Sequence, residues 1–352
     1  MAYTTIDDPT IYFNTLTYTG NGSSGRSVTG VGFQADWIWI KNRSDGDPNK
    51  LFDSVRGASK SLKSNSTDAE ANTEDNGYVS AFNSDGFTLT QGSSSQDDVN
   101  KSGENYVAWN WLAGGSASSN SDGSITSNVS VSTTAGFSIV TYTGTGSAGT
   151  IGHGLNATPG MIICKNRSTS VVWVVYHHKN TSAPETDYLT FNGTNATTDH
   201  IVFNDTAPTS SVFSVAGDSA NNESSSNHVA YCFSEIKGYS KFGSYTGNGN
   251  ADGTFVYTGF KPAWVIRKVA SGGTGSWAIY DNKREPENVM DKELFADSGS
   301  AEGSFTQMDF LSNGFKLRTS NSAGNGSGQT YIYMAFAESP LVNSNGIPNN
   351  AR

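Results

Sequence analysis

Three residue patterns in this 352-residue chain have spacings that could do chemistry. The first is glycine. Gly20, Gly22 and Gly25 in TYTGNGSSG form G-x-G-x-x-G, and Gly144, Gly146 and Gly149 repeat it. Such a loop cradles a dinucleotide pyrophosphate when a helix opens from it, because the helix N-terminus offers free N–H groups. Here Gly25 is followed by RSVTGVGF, which has no helical period. A third occurrence, at Gly247 and Gly249 with Asp252-Gly253 beyond, loses the spacing. The loop reads as a tight turn after a strand, and no cofactor is expected.

The second pattern is acidic. Asp45, Asp47 and Asn49 imitate the start of a calcium loop, but the position that needs glycine is Lys50 and the one that needs glutamate is Arg56. An EF-hand is excluded, and an irregular calcium site on this loop stays open. A carboxylate pair for glycoside hydrolysis stays open; Glu235 and Glu338 stand at matching places, but the third matching place holds Ala113. Asp53 and Arg56 in LFDSVRG read as a pair that stabilises a turn. The third pattern is His177-His178. Neighbours on a strand face opposite sides, so the two cannot share a metal. They read as one core and one surface histidine. There is no G-x-S-x-G and no P-loop. No catalytic, cofactor-binding or metal-ligating residue is assigned, and the chain is expected not to be an enzyme.

Elements must hold these residues, and the elements repeat. T-Y-T-G at Thr17–Gly20 recurs at Thr141–Gly144 and, as S-Y-T-G, at Ser244–Gly247. Nineteen residues after Tyr18, Tyr142 and Tyr245 come Trp37, Met161 and Trp264, opening WIWIKNRS, MIICKNRS and WVIRKVAS. Each unit then has a short aromatic strand (DGFTL, SVFSV, NGFKL) and a closing one (YVAWNWLA, HVAYCFSE, YIYMAFAE), which aligns Trp111, Phe233 and Phe336. Units of about 100 residues can close cores of their own. Phe137–Tyr142 alternates with period two, and Trp37–Ile40 is apolar on both faces, as a central strand of a sandwich is. The best helical stretch, Pro286–Phe295, is worth a turn or two.

The expected fold is all-β: three tandem related antiparallel sandwiches of jelly-roll or concanavalin-like type, at residues 1–113, 137–236 and 237–342. Residues 114–136 read as a Gly/Ser-rich connector with room for one strand, and 343–352 as a polar tail that wraps a neighbour or frays. On this reading units two and three form a rigid pair and unit one sits further away.

Charged residues make up 15% of the chain and aromatics 11%, which fits a folded chain, and the net charge is −10. The 22 Lys and Arg are scattered, so nucleic acid is not an expected partner. No apolar run approaches a membrane span, and MAYTTIDDPT has neither the basic nor the apolar part of a secretion signal. Cys164 and Cys232 read as two buried thiols. The seven tryptophans, Trp37, Trp39, Trp109, Trp111, Trp173, Trp264 and Trp277, lie mostly in core-like runs. Exposed aromatics and Asn/Asp-rich loops would suit sugar contact, but no tryptophan is assigned as a platform.

WIWIKNRS, LFDSVRGASKSLKSNSTDAEA, SAFNSDGFTL, NYVAWNWLAGG, FGSYTGNG and the ending YIYMAFAESPLVNSNGIPNNAR resemble a signature of marine bacteriophage structural proteins of cyanophage and pelagiphage type. The resemblance covers essentially the whole chain. FKPAW at Phe260–Trp264 fits it as a proline-anchored turn, while unit two departs there with Ala157–Gly160. The resemblance implies a tail-fibre-like virion protein, assembled in the host cytoplasm, whose partners are other virion proteins and host cell-surface polysaccharide. It also implies a homo-oligomer, with a trimer as one form, although three covalent units can build a pseudo-threefold object from one chain. The alternatives are a capsid-decoration or tail-joining protein and a glycan-cleaving sandwich.

Overall fold

A computed structural model describes residues 2–92 and 97–349. The chain is all-β, and its strands pair antiparallel. One five-strand order occurs three times. In unit one it runs Phe13–Thr19, Asn105–Trp111, Trp37–Asn42, Lys50–Asp53, Lys60–Lys63. In unit two it runs Phe137–Thr143, Asn227–Phe233, Met161–Asn166, Val174–His177, Asp187–Thr190. In unit three it runs Ser240–Thr246, Thr330–Pro340, Phe260–Ser271, Ala278–Asp281, Met290–Phe295. The register repeats too: Trp37 faces Trp111, Met161 faces Phe233, and Trp264 faces Phe336.

The two-faced apolar strands have a specific cause. Successive side chains of a strand point to opposite faces. Trp37 and Trp39 enter one core, while Ile38 and Ile40 enter another. The second kind of core is private to each unit. The first is shared. Trp37 stacks on Tyr231 with ring centroids 4.5 Å apart, Phe13 stacks on Phe336 at 5.1 Å, and Phe233 meets Phe336 edge-on at 6.1 Å. Every pair of units is thus joined through one aromatic centre, and all seven tryptophans are fully buried. This corrects the expectation that unit one stands apart.

Three further expectations change. Within 114–136, Ser118–Asn120 and Ser127–Ser132 are strands added to the edge of the second sheet, so the Gly/Ser-rich stretch is structure rather than linker. Its Val129 and Val131, alternating with polar residues, pack on the unit-two core. Pro286–Phe295 holds no helix. It contains the strand Met290–Phe295, because pairing with Ala278–Asp281 outweighs a weak local preference. FKPAW is not a turn but part of the strand Phe260–Ser271, where register shifts on both sides of Pro262 absorb the missing N–H. The tail folds back on its own chain: Ser344 N donates to Asp7 at 2.6 Å, and Asn349 Nδ2 donates to Ser312 O at 2.8 Å. Its last three residues lie outside the described residues.

Candidate functional site

The glycine loops come first, because their chemistry is now decidable. Tyr18, Tyr142 and Tyr245 each lie flat on a partner ring (Tyr106, His228, Tyr331) and donate to the carbonyls of Val99, Asn221 and Gly324 at 2.8, 2.6 and 2.7 Å. The loop that follows closes on a buried asparagine. Asn100, Asn222 and Asn325 accept from the N–H of Asn21, Thr145 and Asn248 through Oδ1, at 3.2, 2.9 and 3.0 Å. Their own carbonyls take the N–H of Gly22, Gly146 and Gly249 at 2.8, 2.9 and 2.8 Å. The N–H groups that a phosphate would need are already spent. Gly22, Gly146 and Gly249 sit at positive φ, and a Cβ on Gly20, Gly144 or Gly247 would strike the opposing backbone. No sequence motif marks the three asparagines; their only signal is their place a few residues before each closing strand.

The acidic loop does not converge. Asp47 accepts from Asn42 Nδ2 at 2.6 Å, and Asp45 is exposed. Asn49 Oδ1 accepts from Trp39 Nε1 at 2.9 Å, while its Nδ2 donates to carbonyls of unit three. Among the described residues no group of three or more His, Cys, Asp or Glu could hold a metal. Glu235 and Glu338 are each tied to a lysine of their own, Lys241 at 2.8 Å and Lys261 at 2.7 Å. His177 is buried, with Nε2 3.1 Å from Tyr333 O, and the half-buried His178 has Nε2 2.8 Å from Phe242 O. Cys164 and Cys232 are buried free thiols whose ionisation burial suppresses.

Asp53 and Arg56 do more than brace a turn. Arg56 Nε pairs with Asp53, its Nη1 reaches Glu70 at 3.0 Å, and Glu70 takes both Nε and Nη2 of Arg167, in unit two, at 2.8 Å. Asp53 also accepts from Tyr231 OH at 2.7 Å. The same set recurs between units three and one. Arg284 pairs with Asp281 at 2.6 Å and with Glu302 at 2.9 Å, Glu302 takes the fork of Arg43, and Asp281 accepts from Trp109 Nε1 at 3.0 Å. Burial alone would raise the Glu70 and Glu302 carboxyls. The arginines around them hold both below their ordinary values.

Between units two and three the homologous places hold His177, Asn180, Thr197 and Ala270. These four places form no charge pair among the described residues, and Thr197 Oγ1 donates to Ala270 O at 2.8 Å. In all three junctions one backbone bond is kept, from the N–H of Glu70, Thr197 and Glu302 to the carbonyl of Arg167, Ala270 and Arg43. A buried lysine caps each junction as well. Lys41, Lys165 and Lys268 donate to Gly299, Thr67 and Thr194 carbonyls of the preceding unit at 3.0, 3.1 and 2.8 Å. Burial pushes all three ammonium groups down to about 8. Each unit therefore clasps the next, and the third clasps the first.

Two of these junctions open into clefts at equivalent places. The unit-two cleft has a volume of about 390 Å³ and is lined by Thr67, Val172, Val174, Tyr188, His200 and Val202 among others. The unit-three cleft, about 340 Å³, is lined by Thr194, Arg267, Thr274, Ser276, Glu293 and Phe295 among others. Beneath it Arg267 Nη2 donates to Tyr280 OH and Gln307 Oε1 at 2.9 Å and lies 3.4 Å from Glu293 Oε1, while Nη1 donates to Ala323 O. This buried polar cluster is the candidate site. No pattern in the sequence marked it, since Arg267 stands inside a strand-like run, its side-chain partners come from three other strands, and Ala323 comes from a one-turn helix.

Residues 8–340 match a family model described as a domain of unknown function (DUF7483). The chain belongs to this family. No curated protein matches it, and no solved structure does. The match begins and ends close to the limits of the clasped ring, so the DUF7483 unit takes in all three repeats.

Proposed function

We propose that this DUF7483 chain is a non-enzymatic structural protein of a bacteriophage virion, tail-fibre-like or otherwise tail-associated, that presents loops for attachment to host-surface glycan. We read its units as three tandem sandwiches of jelly-roll or concanavalin-like type. The observation that carries the reading is the closed ring. Three related units share one aromatic centre and are clasped head to tail by buried side chains. At two junctions the arginines and carboxylates neutralise one another and brace the ring, which is the work of a rigid scaffold with loops left outside. The whole-chain sequence resemblance supports the same reading. On it, the chain is assembled in the host cytoplasm among other virion proteins and copies of itself. The pseudo-threefold ring also favours a second reading, a capsid-decoration or tail-joining protein seated on a threefold position.

A density map of the intact particle tests both readings. Density for the ring at a tail fibre or tail tip supports the first, and density at regular capsid positions supports the second. A particle without the chain, or one that adsorbs normally after the gene is deleted, defeats the attachment role.

A further inference from the structure

Arg267 and Glu293 are buried charges at positions where the sister units need none. By register, Arg267 corresponds to Ile40 in unit one and Cys164 in unit two, and Glu293 corresponds to Ser61 and Tyr188. Burying an ion pair costs desolvation that apolar residues avoid, so stability alone does not select it. In unit one the matching space is taken by Lys50, which reaches Asp98 at 3.0 Å and also pairs with Glu74. In unit two valines line it. The open unit-two cleft has Asp218 at its wall but no Arg–Glu pair, which among the described residues only the unit-three cleft carries.

The cluster is incompletely satisfied. Arg267 is about 1% exposed, and its Nε donates to nothing among the described residues. Glu293 spends Oε1 on Tyr280 and Arg267, while its Oε2 accepts nothing from the described residues. The cleft therefore offers one anionic acceptor, Glu293 Oε2, while Arg267 Nε is buried out of reach beneath it. Thr194 and Thr274 add hydroxyls, and the half-buried Phe295 adds an aromatic face. The pair is formally neutral, so it has no net charge with which to draw an anion or a cation. A sugar ring matches this set: one hydroxyl donates to the Glu293 carboxylate, its neighbours exchange hydrogen bonds with the threonine hydroxyls, and the ring's C–H face lies on the aromatic. The volume sits at the small end of ligand pockets, which suits one ring rather than a chain.

We propose that the cleft between units two and three binds one neutral sugar residue through Glu293, which Arg267 holds in place. This rests on the attachment reading above, but its test does not need the particle. Saturation-transfer NMR on the purified chain would use the methyl glycosides of glucose, galactose and mannose, with glucuronate as the charged comparison. At least one neutral glycoside is expected to bind. Thr274→Trp, which blocks the exposed rim, should weaken it about tenfold or more while the melting midpoint is kept, and Glu293→Gln should weaken it as much at a lowered midpoint, since it leaves the buried Arg267 charge unpaired. Binding of no glycoside, binding of glucuronate alone, or equal binding by both variants overturns the proposal. Adsorption of particles carrying Glu293→Gln is scored separately. If the purified chain binds sugar and these particles adsorb normally, the site stands and the attachment role falls.

Discussion

Replacing Arg56 by Met would test whether the clasp between units one and two holds the ring. Met keeps the aliphatic stem and removes the guanidinium. Arg56 is fully buried and satisfies four groups: Asp53, Glu70 at 3.0 Å, and the carbonyls of Lys60 at 3.1 Å and Leu51 at 3.0 Å. After the change Asp53 keeps only Tyr231 OH and the backbone N–H of residue 56, and Glu70 keeps only Arg167. Removing one partner of a buried ion pair costs about 3–5 kcal/mol. Two stranded carbonyls place the expected loss at the upper end, about 5 kcal/mol.

The molecule supplies its own control. Between units two and three the same places hold His177, Asn180, Thr197 and Ala270. The quadruple variant Asp53→His, Arg56→Asn, Glu70→Thr, Arg167→Ala copies that junction and leaves no orphaned charge. Replacing a whole buried charge network by uncharged residues is often close to neutral, so about 1–2 kcal/mol is expected, well below the single variant. Urea unfolding followed by tryptophan fluorescence reads both, since the tryptophans sit in the shared core. If Arg56→Met costs less than about 1 kcal/mol, the pair is not a clasp. If the quadruple variant is as damaged as the single, the three junctions are not equivalent and the register argument is wrong.

Three other outcomes are expected. Because the aromatic centre joins every pair of units, calorimetry should show one cooperative transition, and Trp37→Ala, at a cost of about 3–5 kcal/mol, should lower all of it; a separable transition for unit one would contradict the shared core. Asn222→Ala removes the acceptor for Thr145 N–H and the donor to the Ser147 and Ala216 carbonyls, so it should cost about 2–3 kcal/mol and expose residues 144–147 to faster amide exchange. The three junction lysines have folded values near 8, below the roughly 10.5 of an unfolded lysine, so folding releases protons and stability should rise with pH between about 8 and 10, by up to about 3 kcal/mol per lysine. Their carbonyl partners favour the charged form and hold the gain below that ceiling. Above pH 10 the trend should reverse, because the buried Tyr142, Tyr231 and Tyr280 phenols keep their protons in the fold and lose them when unfolded. Melting midpoints from pH 7 to 11 check both arms, and Lys268→Met should flatten the rising one by about a third.

Much of the strand plan was legible because it depends on local pattern. Period-two alternation and the repeated tyrosine-to-aromatic spacing mark the landmark strands, and both faces of Trp37–Ile40 are buried as the run implies. What was hidden depends on which face meets which unit. Trp37 reads as apolar whether it points to a private or a shared core, so no pattern within one unit reveals that it stacks on Tyr231. The Arg56–Glu70–Arg167 set was hidden for the same reason. Its members lie far apart in sequence, and Arg167 belongs to a K-N-R-S copy whose value only the neighbouring unit defines. Pro286–Phe295 misleads because its composition is polar, and pairing on both sides, with Ala278–Asp281 and with Gly303–Leu311, outweighs propensity there.

The differences among the three copies follow from the closed ring. Each junction must keep its backbone bond, and all three do, at Glu70, Thr197 and Glu302. Side chains are freer, because the other two junctions and the common centre still hold a unit whose own clasp is weak. The uncharged junction lies between units two and three, the pair joined by the shortest link in the chain, where the covalent connection already limits separation. The charged junctions lie where the connection is longer, between one and two, or absent, between three and one. The cleft of the uncharged junction is also the one that carries the Arg267–Glu293 pair. A junction whose stability is secured by connectivity can carry an incompletely satisfied charge pair, and that is the place in this molecule where a binding site is least costly to build.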